Sequence, residues 1–421
     1  MEFFSRKKEA VPLRAITLFA VFTFSLITGF LHYGQVFTDY GFFPPADDPP
    51  YHLKRVLYII QNYPYISYFD PSVNFPEGAY VYWHYGFDLA LAAISFVFSG
   101  FAPSEESVVF ISSIAIPVFG AITAVLVFLL AERIAGRFAG IMAALFFVLL
   151  PAHSDYSFIG RVDHHVMEPL LIAAAAMFLM KAFERKKFNA ILAGLFLGGK
   201  NFFFPAAVYF LLIFYAAYGL SLLLHKREDL KEVAIPFFAA IFLAVCAAAL
   251  TSPFRTSFVF YSPSLLHIAV AFFALVFAVV FYLLGGAGIR QFAIAAGCVA
   301  TLAAMAFFAA PEFPAGILEG LRYSTGNPMT ELSFEAQSLF SDPDRAVKLT
   351  GGAVLLFPAG IFLFLRRGFF SKETGWKADG VFLALFVVLL AVSAFFQRRF
   401  LVALSPFIAV FAAAAVAYLK G

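Results

Sequence analysis

Four short runs in this 421-residue chain group side chains that can do chemistry. In the first, Pro44-Pro45-Ala46-Asp47-Asp48-Pro49-Pro50-Tyr51-His52, prolines stiffen the chain and present an Asp pair at the start of an amphipathic stretch, Leu53 to Ile60. In the second, Gly160-Arg161-Val162-Asp163-His164-His165-Val166-Met167-Glu168, an Asp and a His two residues apart can aim oxygen and nitrogen at one cation, with His164 facing elsewhere. Carboxylate with imidazole suits Mn, Mg or Zn. The third run, Asn327 through Glu335, is polar and turn-prone, and either Glu331 or Glu335 can hang over a site. The fourth, Gln397-Arg398-Arg399-Phe400, holds two arginines able to grip a phosphate in bidentate fashion. Each has a plainer reading: helix capping by Asp, a polar pair at a helix start, ordinary loop composition, and snorkelling anchors.

The elements that must position these runs are membrane helices. Hydrophobic residues make up 62% of the chain, charged residues only 13%, and mean hydropathy is +0.88, against about 25% charged in a soluble domain. A water-soluble protein is excluded, and nothing points to nucleic acid. Apolar runs long enough to span the bilayer fall near 12–34, 108–131, 138–152, 166–183, 189–203, 205–224, 234–252, 264–284, 291–309, 349–365, 379–396 and 400–418. That is an all-α polytopic protein of about twelve transmembrane helices in one domain, 1–421. The first run follows Arg6-Lys7-Lys8 and lacks a small-residue cleavage site, so it reads as a span. Cys246 and Cys298 both lie in apolar runs, which leaves no disulfide framework or thiolate metal site.

With both termini cytoplasmic, the short basic loops fall inside, as the positive-inside rule requires. The carboxylate-bearing segments, 33–106, 311–348 and the short loop 153–165, then fall outside. Crossing at the apolar stretch Phe87 to Phe101 would invert every later loop, so this stretch reads as an outer-face or re-entrant helix. Ionisable groups gathered at helix ends, rather than at mid-membrane as in transporters, favour chemistry at the interface.

In this order the motifs resemble the catalytic subunit of oligosaccharyltransferase in its archaeal-like form. Asp48-Pro49-Pro50-Tyr51-His52 is similar to the family's first-loop Asp motif, and Phe69-Asp70-Pro71 through Trp83-His84-Tyr85-Gly86-Phe87-Asp88 resembles the archaeal continuation. Asp163-His164-His165 resembles its second acidic motif, Pro328-Met329-Thr330-Glu331 loosely matches its late-loop Glu motif, and Gln397-x-Arg399-Phe400 fits its late-helix arginine. Similarity is strongest over residues 40 to 175.

The resemblance implies a C-type glycosyltransferase fold in which Asp48, Asp163 and His165 hold a divalent cation, Mn or Mg with Zn as an option. Asp48 and Glu331 would be catalytic on the acceptor, and Arg399, His84 and Lys200 would face the donor's phosphates. Asp47 would stand just outside the site, with Glu168 a helix residue beside it. The partners implied are membrane lipid, a polyprenyl-linked glycan donor and a polypeptide acceptor at the outer face of a prokaryotic cell membrane. The family's outer soluble domain reads the acceptor through a Trp-Trp-Asp-Tyr-Gly motif. The tryptophans here are Trp83 and Trp376 alone, so the expectation is a chain without a C-terminal soluble domain. That expectation leaves open a lipid, envelope-polymer or hydroxyl acceptor, a separate subunit that recognises the acceptor, or a non-catalytic subunit that binds carrier lipid.

Overall fold

A computed structural model describes residues 11–184, 186–204, 207–225, 228–285, 288–325, 336–370 and 378–420. In chain order its helices are α1 (Val11–Gly29), α2 (Tyr33–Val36), α3 (Asp48–Asn62), α4 (Gly86–Ser99), α5 (Glu105–Ala135), α6 (Arg137–Leu149) and α7 (Pro151–Ser157). They continue as α8 (Met167–Ala182), α9 (Lys187–Gly199), α10 (Val208–His225), α11 (Glu228–Leu250), α12 (Leu265–Leu283), α13 (Ile289–Ala309) and α14 (Glu312–Thr325). The last are α15 (Pro343–Thr350), α16 (Ala353–Phe370), α17 (Ala378–Phe396) and α18 (Phe400–Lys420). Short antiparallel pairs, Phe37–Thr38 with Gly41–Phe42 and Phe69–Asp70 with Ala79–Tyr80, pin the first long loop.

Every apolar run read from the sequence coincides with a helix, and Phe87 to Phe101 is one too, as α4. Among the described residues, seven helices are long and apolar enough to cross a membrane, or nine if two bent pairs each count as one span. Those pairs are α6 with α7, bent by 64° just before Pro151, and α15 with α16, bent by 72° at Gly351-Gly352. The first bend falls where Leu150 precedes a proline and takes extended backbone, the conformation that position favours.

Helices α8 and α18 are the most enclosed candidate spans. Around them α5, α6, α9, α10, α11 and α17 bury a continuous apolar core. Gly194 and Gly198 on α9 lie one turn apart, and a Cβ on either would come within 3 Å of α11 atoms, including Phe237 O at 2.4 Å. This small-x-x-x-small spacing lets two backbones approach where lipid supplies no hydrophobic drive between helices, and it fixes the height of α9 and of the Lys200 turn that ends it.

A second core joins the first loop to the end of this bundle. Leu53, Val56 and Ile59 of α3 pack with Phe87 and Leu91 of α4, Ile116 of α5, Val166 just before α8 and Leu170 within it. Asp48 opens α3, followed by Pro49 and Pro50, which the first helical turn accepts because its N–H groups have no helical partner. Asp47 occupies the capping position without a side-chain cap bond, so capping does not explain the acidic pair.

Candidate active site

Helix α3 turns one face inward and carries Asp48, His52 and Arg55 at spacings of four and three residues, which align them along one side. Asp88, in the first turn of α4, is fully buried and takes both of the inner pair. His52 Nδ1 lies 2.6 Å from its Oδ1, and Arg55 Nε lies 3.0 Å from its Oδ2. Arg55 also stacks over the Tyr85 ring at 3.8 Å and donates to Trp83 O. A carboxylate held against Nδ1 keeps a proton there and leaves His52 Nε2 as an acceptor. That nitrogen is 3.0 Å from His164 Nδ1, which is also 3.3 Å from Asp163 Oδ1.

The Asp163 side chain accepts the His165 backbone N–H at 3.1 Å, capping the 3-10 turn His164–Val166 that leads into α8. Its other oxygen is buried with no hydrogen-bond partner among the described residues, the Arg161 guanidinium standing 3.7 Å away. His52, Asp163 and His164 offer ligand atoms within 4.8 Å of one another, and all three are buried. An orphan carboxylate oxygen beside two imidazoles fits a divalent cation, and the mixed oxygen and nitrogen set suits Mn or Zn.

His165 brings in a second carboxylate through one ring nitrogen. Its Nδ1 meets Glu168 Oε1 at 2.6 Å, and Glu168 Oε2 lies 3.5 Å from Lys200 Nζ. Lys200 is 1% exposed, held between the faces of Phe204 and Phe210 at 3.9 and 3.8 Å. The Lys200–Phe202 turn is seated on α4, where a Cβ at Gly86 would lie 2.2 Å from Phe202 O. Of the two late arginines, Arg398 bonds Ser338 O and Ser341 Oγ, whereas Arg399 donates to the Tyr323 hydroxyl with its guanidinium over that ring. Arg399 is also near enough to Lys200 for the two charges to interact.

Among the residues singled out from sequence, Asp163, His165 and Lys200 come together in this cluster, and Asp48 sits one turn from His52 on the same face of α3. His84 instead lies beside the cluster with Nε2 bonded to Thr251 Oγ1 at 2.9 Å. Burial, with the Arg55 charge adding to it, pushes its imidazole down to about 4. Glu331 and Glu335 fall outside the described residues. His164 does not face elsewhere: it lies against His52 and Asp163 and stacks on His165, with ring centroids 4.5 Å apart, because His52, pinned by Asp88, supplies an acceptor. Sequence reasoning passed over His52, Asp88 and Arg55, although the four-residue step from Asp48 to His52 and a carboxylate opening an apolar helix were both visible.

A family model described as oligosaccharyl transferase STT3, N-terminal, matches residues 18–420. The dolichyl-monophosphooligosaccharide–protein glycotransferase AglB of Haloferax volcanii is 31% identical over 140 residues, covering 32% of this chain and 13% of that protein. Dolichyl-phosphooligosaccharide–protein glycotransferase 3 of Archaeoglobus fulgidus is 28% identical over 241 residues, covering 52% and 27%. The solved oligosaccharyltransferase AglB of Archaeoglobus fulgidus, in complex with an inhibitory peptide and a dolichol-phosphate, superposes with a TM-score of 0.78 at 20% identity. The match covers 95% of this chain and 50% of that one. A form of the Archaeoglobus fulgidus enzyme with Zn and sulfate gives 0.71 at 21% identity, over 95% and 48%. One tethered to an acceptor peptide containing the NVT sequon gives 0.74 at 20%, over 95% and 49%. The chain thus spans about half the length of these solved proteins and a smaller share of the curated relatives.

Proposed function

The chain belongs to the oligosaccharyl transferase STT3 family, and on that premise we propose that it transfers a glycan from a polyprenyl phosphate or pyrophosphate donor to protein asparagine. The observation that carries this reading is the buried His52, Asp163 and His164 cluster, continued through His165 and Glu168 to Lys200, at one end of the bundle. Archaeoglobus fulgidus structures of the same fold are solved with dolichol-phosphate and with a sequon peptide, which supports a lipid-linked donor and a peptide acceptor here.

In this reading Asp163 anchors a divalent cation together with Asp48 and His165, while His52 and His164 flank the same carboxylate. When bound, the cation would neutralise charge developing on the leaving phosphate. Lys200 and Arg399 supply fixed positive charge for that phosphate. His84, neutral at pH 7, offers an N–H rather than a charge. Asp48 and Glu331 orient and polarise the acceptor's amide. Twelve spans, cytoplasmic termini and a site on the outer face of a prokaryotic cell membrane complete the proposal.

Incubating the purified chain with native polyprenyl-linked glycan, a sequon peptide and Mn, followed by mass analysis of the peptide, tests it. Glycopeptide that disappears on chelation is the expected result. Donor consumed without glycopeptide would redirect the search to another acceptor, and untouched donor would remove the enzymatic reading.

A further inference from the structure

The carboxylate of Glu168 has no part in the reaction just described, yet it is 1% exposed and its two oxygens face different partners. Oε1, 2.6 Å from His165 Nδ1, holds the imidazole proton on that nitrogen and leaves the lone pair on Nε2. That tautomer is the one a metal needs, and carboxylates behind ligating histidines orient the ring and raise its basicity. Oε2 faces the ammonium of Lys200, which has no hydrogen-bond acceptor and no other carboxylate partner among the described residues. Two aromatic faces enclose that ammonium, so Glu168 is the carboxylate that offsets its charge where water is excluded.

We infer that Glu168 is a positioning residue shared by both halves of the site, orienting His165 toward the cation and holding Lys200 in place for the donor's phosphate. The inference rests on the reading above, in which His165 takes part in holding a cation. The sharing makes the two roles separable. Removing the carboxylate leaves Lys200 a buried, uncompensated charge, which destabilises strongly, and removing Lys200 as well relieves that strain. It does nothing for His165. The double variant therefore regains stability and not metal affinity, a non-additivity confined to one readout.

The test uses the full chain in nanodiscs, with Mn chloride alone as the probe, and measures the thermal midpoint and Mn affinity side by side. Wild type binds Mn and Asp163→Ala does not. Glu168→Gln lowers the midpoint and weakens Mn binding by about 10- to 100-fold. Glu168→Gln combined with Lys200→Met returns the midpoint toward wild type while Mn stays weak. Recovery of Mn affinity together with the midpoint overturns the inference, since Glu168 would then act through stability alone. Wild-type Mn binding in Glu168→Gln, with binding lost in Asp163→Ala, overturns it while leaving the cation reading intact. Undiminished Mn binding in both Asp163→Ala and His165→Ala overturns the cation reading, and the inference with it.

Discussion

Helix α3 deals with a carboxylate on each of two faces, in two different ways. On its outward face Lys54 and Tyr51 meet Asp70 at 2.6 and 3.1 Å, and Ser72 adds bonds from its backbone and hydroxyl. Burial works to raise the Asp70 carboxyl, but the bonds from Lys54, Ser72 and Tyr51 outweigh it and hold the group well below the ordinary carboxylate range. Every hydrogen-bonding partner lies within about twenty residues, and among the described residues the hydrogen bonds go no further. On the inward face His52 and Arg55 meet Asp88, and the arrangement passes through His52 to His164 and Asp163, more than a hundred residues further along the chain. A carboxylate satisfied by its neighbours braces a loop. One whose partner hands the hydrogen bond onward sets the geometry of a site.

Substitutions can break or sharpen this contrast. At the far end of the inward chain, Asp163→Ala should cut glycan transfer roughly 10³-fold or more while the protein still reaches the membrane, whereas Asp70→Ala stays within about twofold. Equal turnover in the two variants would erase the distinction. Asp88→Ala leaves Arg55 buried without its partner and should destabilise by about 3 to 5 kcal/mol, read from the thermal midpoint in nanodiscs. A loss no greater than that of Asp70→Ala would mean that the inward pair is not enclosed as described.

Acid separates the faces as well. The unfolded imidazole of His84 titrates near 6.5 and the folded one at about 4, so the unfolded state binds more protons between these values. The stability held by neutral His84 is complete above pH 6.5 and is lost as pH falls toward 4, by roughly 1 to 3 kcal/mol. His84→Gln should flatten that part of the stability profile, and an unchanged profile would count against it. The smallest effect belongs to the outward face: Lys54 is half exposed, and Asp70→Asn should cost about 0.2 to 1 kcal/mol. Because the Asp70 carboxyl is lowered, its contribution persists above the unfolded value near 3.8 and fades only below it. A loss already visible at pH 6 would contradict the assignment.

The helices were legible in the sequence because a bilayer imposes a length and a polarity that leave a plain record, from Pro12 through Tyr418. The amphipathic start of α3 and the helical Phe87 to Phe101 stretch were legible for similar reasons of periodicity and apolarity. Asp163 stood out as a carboxylate between two apolar runs. The side His164 faces was not legible, since it depends on His52 from a different loop, and His52 depends in turn on Asp88. Nor were the bends before Pro151 and at Gly351-Gly352, where a short helix turns off at the edge of a run that read as a straight span. Local pattern records what each segment buries. Which polar atoms meet across segments is decided only when the segments pack.

The contact of Gly86 with the Phe202 carbonyl puts a time scale on assembly. At about 5 to 20 residues per second, the chain between these two positions takes roughly 6 to 23 seconds to synthesise. Through that interval the first long loop, with α3 and α4, exists without the turn it rests on. The Asp88 pairing and the packing on α5 and the start of α8 must then hold it in shape without that support, so a newborn chain stalled before Phe202 would leave this face of the loop open to proteases and holding chaperones.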